Sequence, residues 1–295
     1  MSFWYGIINV AWFLSSLLPL RALYIVSDIL YFPLYYFIRY RRKVVRKNLL
    51  NSFPDKSLKE IIRIEKGFYS FFCDYVVETL KLYSMSRKEM TKRMSFGGVE
   101  AVERLMGSDK SCILCLGHYG NWEWISSLAL HIDKNIYPGQ IYRPLRNKLS
   151  DKLFLKIRGR FGTNSIPQEQ TLRKIVHLRN GKRQFMIGFI ADQVPIWTSI
   201  RYWTDFLHQD TPVFSGPERI ARQTGAIAVY VDVTRIKRGY YHCELVPLSS
   251  NPQELPEHAL TDQYFHCLEN TILREPRFWL WSHNRWKRQR KLSDE

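Results

Sequence analysis

Between residues 111 and 246 short apolar runs alternate with amphipathic stretches, and this alternation limits the folds open to the chain. Residues 111–116, 135–142 and 184–191 read as strands: each is short, mostly apolar and closed by turn or polar residues. Residues 122–131, 148–160, 169–178, 216–223 and 263–273 carry helical spacing, and Gly181 and Gly225 stand just past two of them as stops. Residues 226–234 and 240–246 form a hairpin across Lys237-Arg238-Gly239. Strands alternating with helices predict an α/β fold with a mixed central sheet flanked by helices. Upstream, Ser57 with Glu60 three residues on is a capping box, followed by a helical apolar face running from Ile61 through Phe68 and Phe72 to Leu80. With no repeat and no low-complexity linker, a single domain over residues 39–295 is the economical reading.

Residues 1–38 are different. Met1 to Leu20 carry no charged side chain, and residues 22–38 are mostly apolar, interrupted by Asp28 and Pro33. Twenty helical residues reach roughly 30 Å, the thickness of a bilayer core. No basic residue precedes the run and no small-residue cleavage site follows it, so a cleaved signal peptide is not expected. The segment predicts an uncleaved membrane anchor, either one spanning helix with an interfacial piece or a re-entrant pair. The basic cluster at residues 39–47 then places the following domain on the cytoplasmic side, against anionic lipid.

Charge points the same way: 44 Lys and Arg against 27 Asp and Glu give +17, which favours nucleic acid, an anionic membrane or a phosphorylated substrate. No zinc-finger or aromatic RNA-binding pattern accompanies it, so nucleic acid is not the expected partner. The five cysteines lack regular spacing, which argues against a disulfide framework. Cys112 and Cys115 have CxxC spacing, but in a strand they face opposite sides and read as buried core.

The candidate chemistry lies in Leu116-Gly117-His118-Tyr119-Gly120-Asn121-Trp122-Glu123. Ligands in open α/β sheets sit beyond the carboxyl ends of strands. His118, Arg143 and Asp192 each follow a predicted strand. Five residues separate His118 from Glu123, roughly 140° of helical rotation, so the two meet only if His118 precedes the helix that carries Glu123. Gly120 and Asn121 suit that entry, one by relaxing the backbone and one as an N-cap. A carboxylate on one imidazole nitrogen fixes the tautomer and leaves the other to take a proton from a hydroxyl. Backbone N–H groups at the helix start would stabilise developing negative charge. The H-x4-E pattern occurs often by chance; a cap with no catalytic role is its ordinary alternative. Neither G-x-S-x-G nor H-E-x-x-H is present.

Together with its neighbours the pattern resembles the bacterial lipid A biosynthesis acyltransferases, the lauroyl and myristoyl transferases of the wider lysophospholipid acyltransferase group. The likeness covers most of the chain. It runs from Arg46-Lys47-Asn48-Leu49 through Glu78-Thr79-Leu80-Lys81, Gly117-His118…Glu123, Tyr142-Arg143-Pro144 and Ala191-Asp192-Gln193 to Trp279-Leu280-Trp281-Ser282-His283-Asn284-Arg285-Trp286-Lys287. The resemblance implies a glycerolphosphate-acyltransferase-like fold and transfer of a fatty acyl group from acyl carrier protein, or acyl-CoA, to a hydroxyl of a lipid A precursor at the inner membrane. His118 would be the general base and Glu123 its orienting partner. Arg143, Asp192 and Asn121 would bind or shape the substrate site, with no metal or cofactor. A sister enzyme acting on a lysophospholipid, aminolipid or glycolipid is the alternative. A non-enzymatic basic membrane-surface or nucleic-acid-binding protein is a remote one.

Overall fold

The computed structural model describes residues 2–290. The chain opens with helix α1 (Ser2–Leu17) and α2 (Leu20–Phe32), the latter prolonged by a π-helical stretch Pro33–Ile38. Then come α3 (Arg42–Ser52), α4 (Leu58–Lys81), α5 (Arg87–Arg93), β1 (Met94–Gly97), α6 (Val99–Met106) and β2 (Cys112–Leu116). A 3-10 helix at Trp124–Leu130 leads to β3 (Tyr137–Tyr142), α7 (Lys148–Arg158), β4 (Asn164–Pro167), α8 (Thr171–Asn180) and β5 (Phe185–Ile190). The hairpin β6 (Tyr202–Phe206) and β7 (Gln209–Val213) stands apart from the main sheet, followed by α9 (Gly216–Thr224), β8 (Ile227–Lys237), β9 (Tyr240–Ser249) and α10 (Ala259–Arg274).

Seven strands form the central sheet in the order β1-β9-β8-β2-β5-β3-β4. Only β8 against β9 is antiparallel, so the sheet is mixed, as the strand–helix alternation predicts. Five elements are unforeseen by the sequence: β1, α6, the short edge strand β4, and the two strands of the β6–β7 hairpin. β1 and β4 have only four residues each, too short to display a period of two.

The register of the central strands places the site. β2 and β5 are parallel neighbours with Leu116 opposite Ile190. Two residues on, at the carboxyl ends, His118 and Asp192 therefore emerge side by side. β3 lies on the far side of β5 with Gln140 opposite Gly188, so Arg143 leaves the same end of the sheet one strand further along.

α4 is the other organising element. Its capping box forms as expected: the Ser57 hydroxyl accepts the Glu60 N–H, and the Glu60 carboxylate accepts the Ser57 N–H. Its apolar face joins the core through Ile61, Phe68, Phe71 and Val77. The same helix also buries three carboxylates. Glu65 accepts from Tyr35 at 2.9 Å and from Arg46. Asp74 accepts from Ser27 and Arg235, each at 2.7 Å, and from Arg238. Glu78 accepts from Tyr24 at 2.8 Å, Tyr241 at 2.8 Å and Asn121 at 2.7 Å. Buried carboxylates persist only when paired in this way.

These bonds invert the N-terminal segment. α2 turns its polar side chains, Tyr24, Ser27 and Tyr35, inward to α4. Much of the outward surface is apolar: Ile25, Ile29 and, in the π-helical stretch, Phe37 are 62%, 63% and 81% exposed, while Leu20 and Leu23 are buried and Asp28 also faces out. Among the described residues no single helix is long and apolar enough to cross a membrane; α1 and the prolonged α2 pass that test only as a pair bent by 110°. Of the two arrangements expected, a single spanning helix is not found among the described residues, and the bent pair corresponds to the other. The bend follows from Pro19 at the start of α2 and from Lys81 and Ser84, which hold the Ser16 carbonyl at the break.

Candidate active site

β2 is buried throughout and ends at Leu116, after which the backbone opens into a loop. Gly120 makes that loop possible. Its φ is +60°, and a Cβ there would sit 2.8 Å from Val233 Cγ1, so both conformation and space require glycine. The C-terminal segment straps the loop down: Gly120 N–H donates to the Phe278 carbonyl at 3.0 Å and Leu280 N–H to the His118 carbonyl at 3.1 Å.

Asn121 closes the turn that leads into the next helix, two residues before that helix's cap position, Glu123: its Oδ1 accepts the Trp124 N–H at 3.2 Å while its Nδ2 donates to Glu78. Burial raises the Glu78 carboxyl above its usual range, with the Arg235 charge and its hydrogen-bond donors pulling the other way. The segment that follows is a 3-10 helix and not the α-helix expected over residues 122–131, with Glu123 as its first flanking residue.

His118 indeed precedes this helix, but Glu123 does not reach it. Arg158 of α7 holds Glu123 in a two-point ion pair, Nε to Oε2 at 2.7 Å and Nη2 to Oε1 at 2.6 Å. Both carboxylate oxygens are thus engaged, and the expected His118–Glu123 contact is corrected. The partner of His118 is Asp192. The imidazole Nδ1 lies 2.6 Å from Asp192 Oδ1, and the His118 backbone N–H donates to Oδ2 at 2.8 Å. Oδ2 also accepts the Trp279 indole N–H at 2.8 Å. Asn121, expected on the substrate, is fully buried and engaged with Glu78 and Trp124. Arg143 is exposed in the loop after β3, and no described side chain hydrogen-bonds it.

The protonation pattern follows from these contacts. Burial works to raise the Asp192 carboxyl, but the His118 charge, the His118 hydrogen bonds and the Trp279 indole outweigh it and hold Asp192 at about 2. An ionised carboxylate only accepts, so Nδ1 of His118 carries the proton it donates to Asp192. In the neutral imidazole Nε2 then carries the lone pair, and the Gln193 amide Nε2, 3.2 Å away, is placed to donate to it. His118 is therefore poised with its basic nitrogen turned away from the carboxylate. The Trp122 ring stands edge-on beside it, centroids 5.2 Å apart, and stacks on Tyr75 at 4.0 Å.

The basic, aromatic tail folds inward. Trp279, Trp281 and Arg285 are buried. Burial depresses His283 to about 4, and its Nε2 accepts the Val194 N–H at 3.3 Å. Burial likewise lowers Arg285 to about 10, with Asp192 opposing. A cavity of about 510 Å³ adjoins Tyr119 and is lined by Arg235, Arg238, Arg274 and Arg277. Each arginine already has a carboxylate: Asp74, Asp28, Asp232 and Glu275 respectively. Their charge is committed to joining α2, α4, β8 and the tail.

Gln193 and Trp279 fall within the motifs that carry the resemblance, but neither was expected to have a role in the site. No spacing rule singles out either side chain; the signal was the parallel register of β2 and β5, which sequence alone does not fix. Compared with known proteins, the chain matches the family described as "Bacterial lipid A biosynthesis acyltransferase" over residues 1–288. It is also 20% identical over 246 residues to a Haemophilus influenzae protein named "Lipid A biosynthesis acyltransferase", covering 82% of this chain and 74% of that one.

Proposed function

Because the chain belongs to the bacterial lipid A biosynthesis acyltransferase family, we propose that it moves a fatty acyl group from a thioester donor, acyl carrier protein or acyl-CoA, to a hydroxyl of a lipid A precursor. The observation that carries the mechanism is the His118–Asp192 pair, which turns Nε2 away from the carboxylate. The acceptor hydroxyl takes the place of the Gln193 amide at Nε2 and gives up its proton as its oxygen attacks the thioester carbonyl. Asp192 stabilises the imidazolium formed. The displaced Gln193 N–H donates to the carbonyl oxygen as it gains charge. When the tetrahedral intermediate collapses, the C–S bond breaks, the ester remains on the acceptor and the imidazolium returns its proton to the leaving thiolate. Arg143, exposed beside the site, supplies positive charge for a phosphate of the acceptor. Glu123 with Arg158 forms a buried pair that holds the 3-10 helix against α7, and Asn121 fixes the loop. The chemistry asks for no metal or cofactor.

The outward apolar face of α1 and α2 supports association with the inner membrane from the cytoplasmic side. α2 lies in the interface, while the basic residues 39–47 meet anionic headgroups.

Mass spectrometry of lipids from a strain lacking the gene tests the acceptor. Lipid A short of one acyl chain, restored by wild type but not by His118→Ala, is the expected result. Unchanged lipid A with a missing lysophospholipid, aminolipid or glycolipid product would assign the sister activity instead.

A further inference from the structure

We propose that Trp279 is a positioning residue: its indole N–H holds Oδ2 of Asp192 and thereby keeps Oδ1 aligned with Nδ1 of His118. Asp192 has one oxygen, Oδ2, shared by two donors, the His118 backbone N–H and the Trp279 indole, each at 2.8 Å. The other, Oδ1, is left to the imidazole at 2.6 Å. With Oδ2 held from two sides, the carboxylate plane cannot turn, and Oδ1 stays in line with Nδ1.

Four other indole N–H groups in the described chain serve the backbone or a hydroxyl. Trp12 donates to the Leu80 carbonyl, Trp124 to the Glu78 carbonyl, Trp281 to the Pro276 carbonyl and Trp286 to the Thr211 hydroxyl. Among these bonds, Trp279 alone donates to a charged side chain. Its indole is itself fixed: it is 2% exposed and packs edge-on against Trp281 at 4.7 Å and Phe206 at 5.8 Å. The surrounding segment ties both site loops together. Backbone bonds join Phe278 and Leu280 to Gly120 and His118, and His283 receives the N–H of Val194, two residues past Asp192. The tail therefore sets the mutual position of the β2 and β5 loops, and Trp279 is its point of contact with the reacting pair.

The inference rests on His118 acting as the base, and its test separates the two. Replacing Trp279 with 3-benzothienylalanine keeps the ring's shape and removes only the N–H. Loss of one hydrogen bond to a charged group predicts about a ten- to hundredfold fall in kcat, with KM unchanged. The His118 Nδ1–H proton resonance should move upfield as its bond to Oδ1 loosens. Wild-type kcat with an unshifted Nδ1–H resonance in this variant would overturn the proposal. So would a Trp279→Phe enzyme that is slow while the benzothienyl enzyme is not, because the role is then one of packing. His118→Ala, assayed in parallel, reports on the base itself, and the Nδ1–H resonance judges Trp279 whatever that variant does.

Discussion

Replacing Asp192 with Asn changes one atom and should remove the base. Three donors converge on the carboxylate: the His118 N–H and Trp279 indole on Oδ2, and the His118 ring on Oδ1. An asparagine has one acceptor oxygen, and the two donors at the Oδ2 position outweigh the one at Oδ1. The carbonyl oxygen stays with them and the NH2 faces the imidazole. Nδ1 must then accept, which moves the proton to Nε2, where the acceptor hydroxyl needs a lone pair. The lost charge sets the scale. With charge centres about 4 Å apart and an effective dielectric of about 20, carboxylate and imidazolium attract by about 4 kcal/mol. That corresponds to a fall in kcat of about three powers of ten. Glu123→Gln is the contrast. It leaves the largely buried Arg158 without its counter-charge, so it should lower stability by about 2–4 kcal/mol while the folded enzyme loses far less activity than Asp192→Asn. Acyl transfer by purified enzyme, with urea unfolding of each variant, separates the two. An Asp192→Asn enzyme within tenfold of wild type, or a Glu123→Gln enzyme that is inactive at full stability, would refute the pairing.

Gly120→Ala places a methyl 2.8 Å from Val233 Cγ1 at a φ of +60°; unfolding should show about 2–4 kcal/mol lost from strain and overpacking together. Burial holds His283 near 4, below its unfolded value of about 6.5. The unfolded chain thus binds the extra proton first, and stability falls as pH drops from about 6.5 to about 4, by about 3 kcal/mol. A His283→Gln variant should flatten that part of the melting curve; an unchanged slope would assign it to other groups. Ile29→Glu with Phe37→Glu puts charge on the outward face of α2 and should weaken binding to anionic vesicles about tenfold or more while sparing the fold; wild-type binding would exclude that face.

The fold was legible where chemistry repeats along the chain. The Ser57–Glu60 cap, the β8–β9 hairpin around Gly239 and the runs that became β2, β3 and β5 all carry local signals, and the structure has them within a few residues. The site was legible as a location, since His118, Arg143 and Asp192 follow strands. Its pairing was not. Local spacing favoured Glu123, five residues from His118, whereas parallel register delivers Asp192, 74 residues away. The 3-10 geometry of Trp124–Leu130 and the reach of Arg158 then draw Glu123 elsewhere. Glu65, Asp74 and Glu78 were equally hidden: a charged residue on a helix reads as solvent-facing, and only the partners on α2, α3, β8 and β9 make their burial tolerable. Those same bonds turn α2 around, so a segment read from its hydropathy as an anchor buries its polar side.

Mass analysis of a lipid A precursor incubated with purified protein and an acyl thioester is the most direct measurement. The addition of one acyl group by wild type, reduced at least a thousandfold in both His118→Ala and Asp192→Asn at retained thermal midpoints, is what a His118–Asp192 base predicts. Transfer that persists in both variants would contradict it.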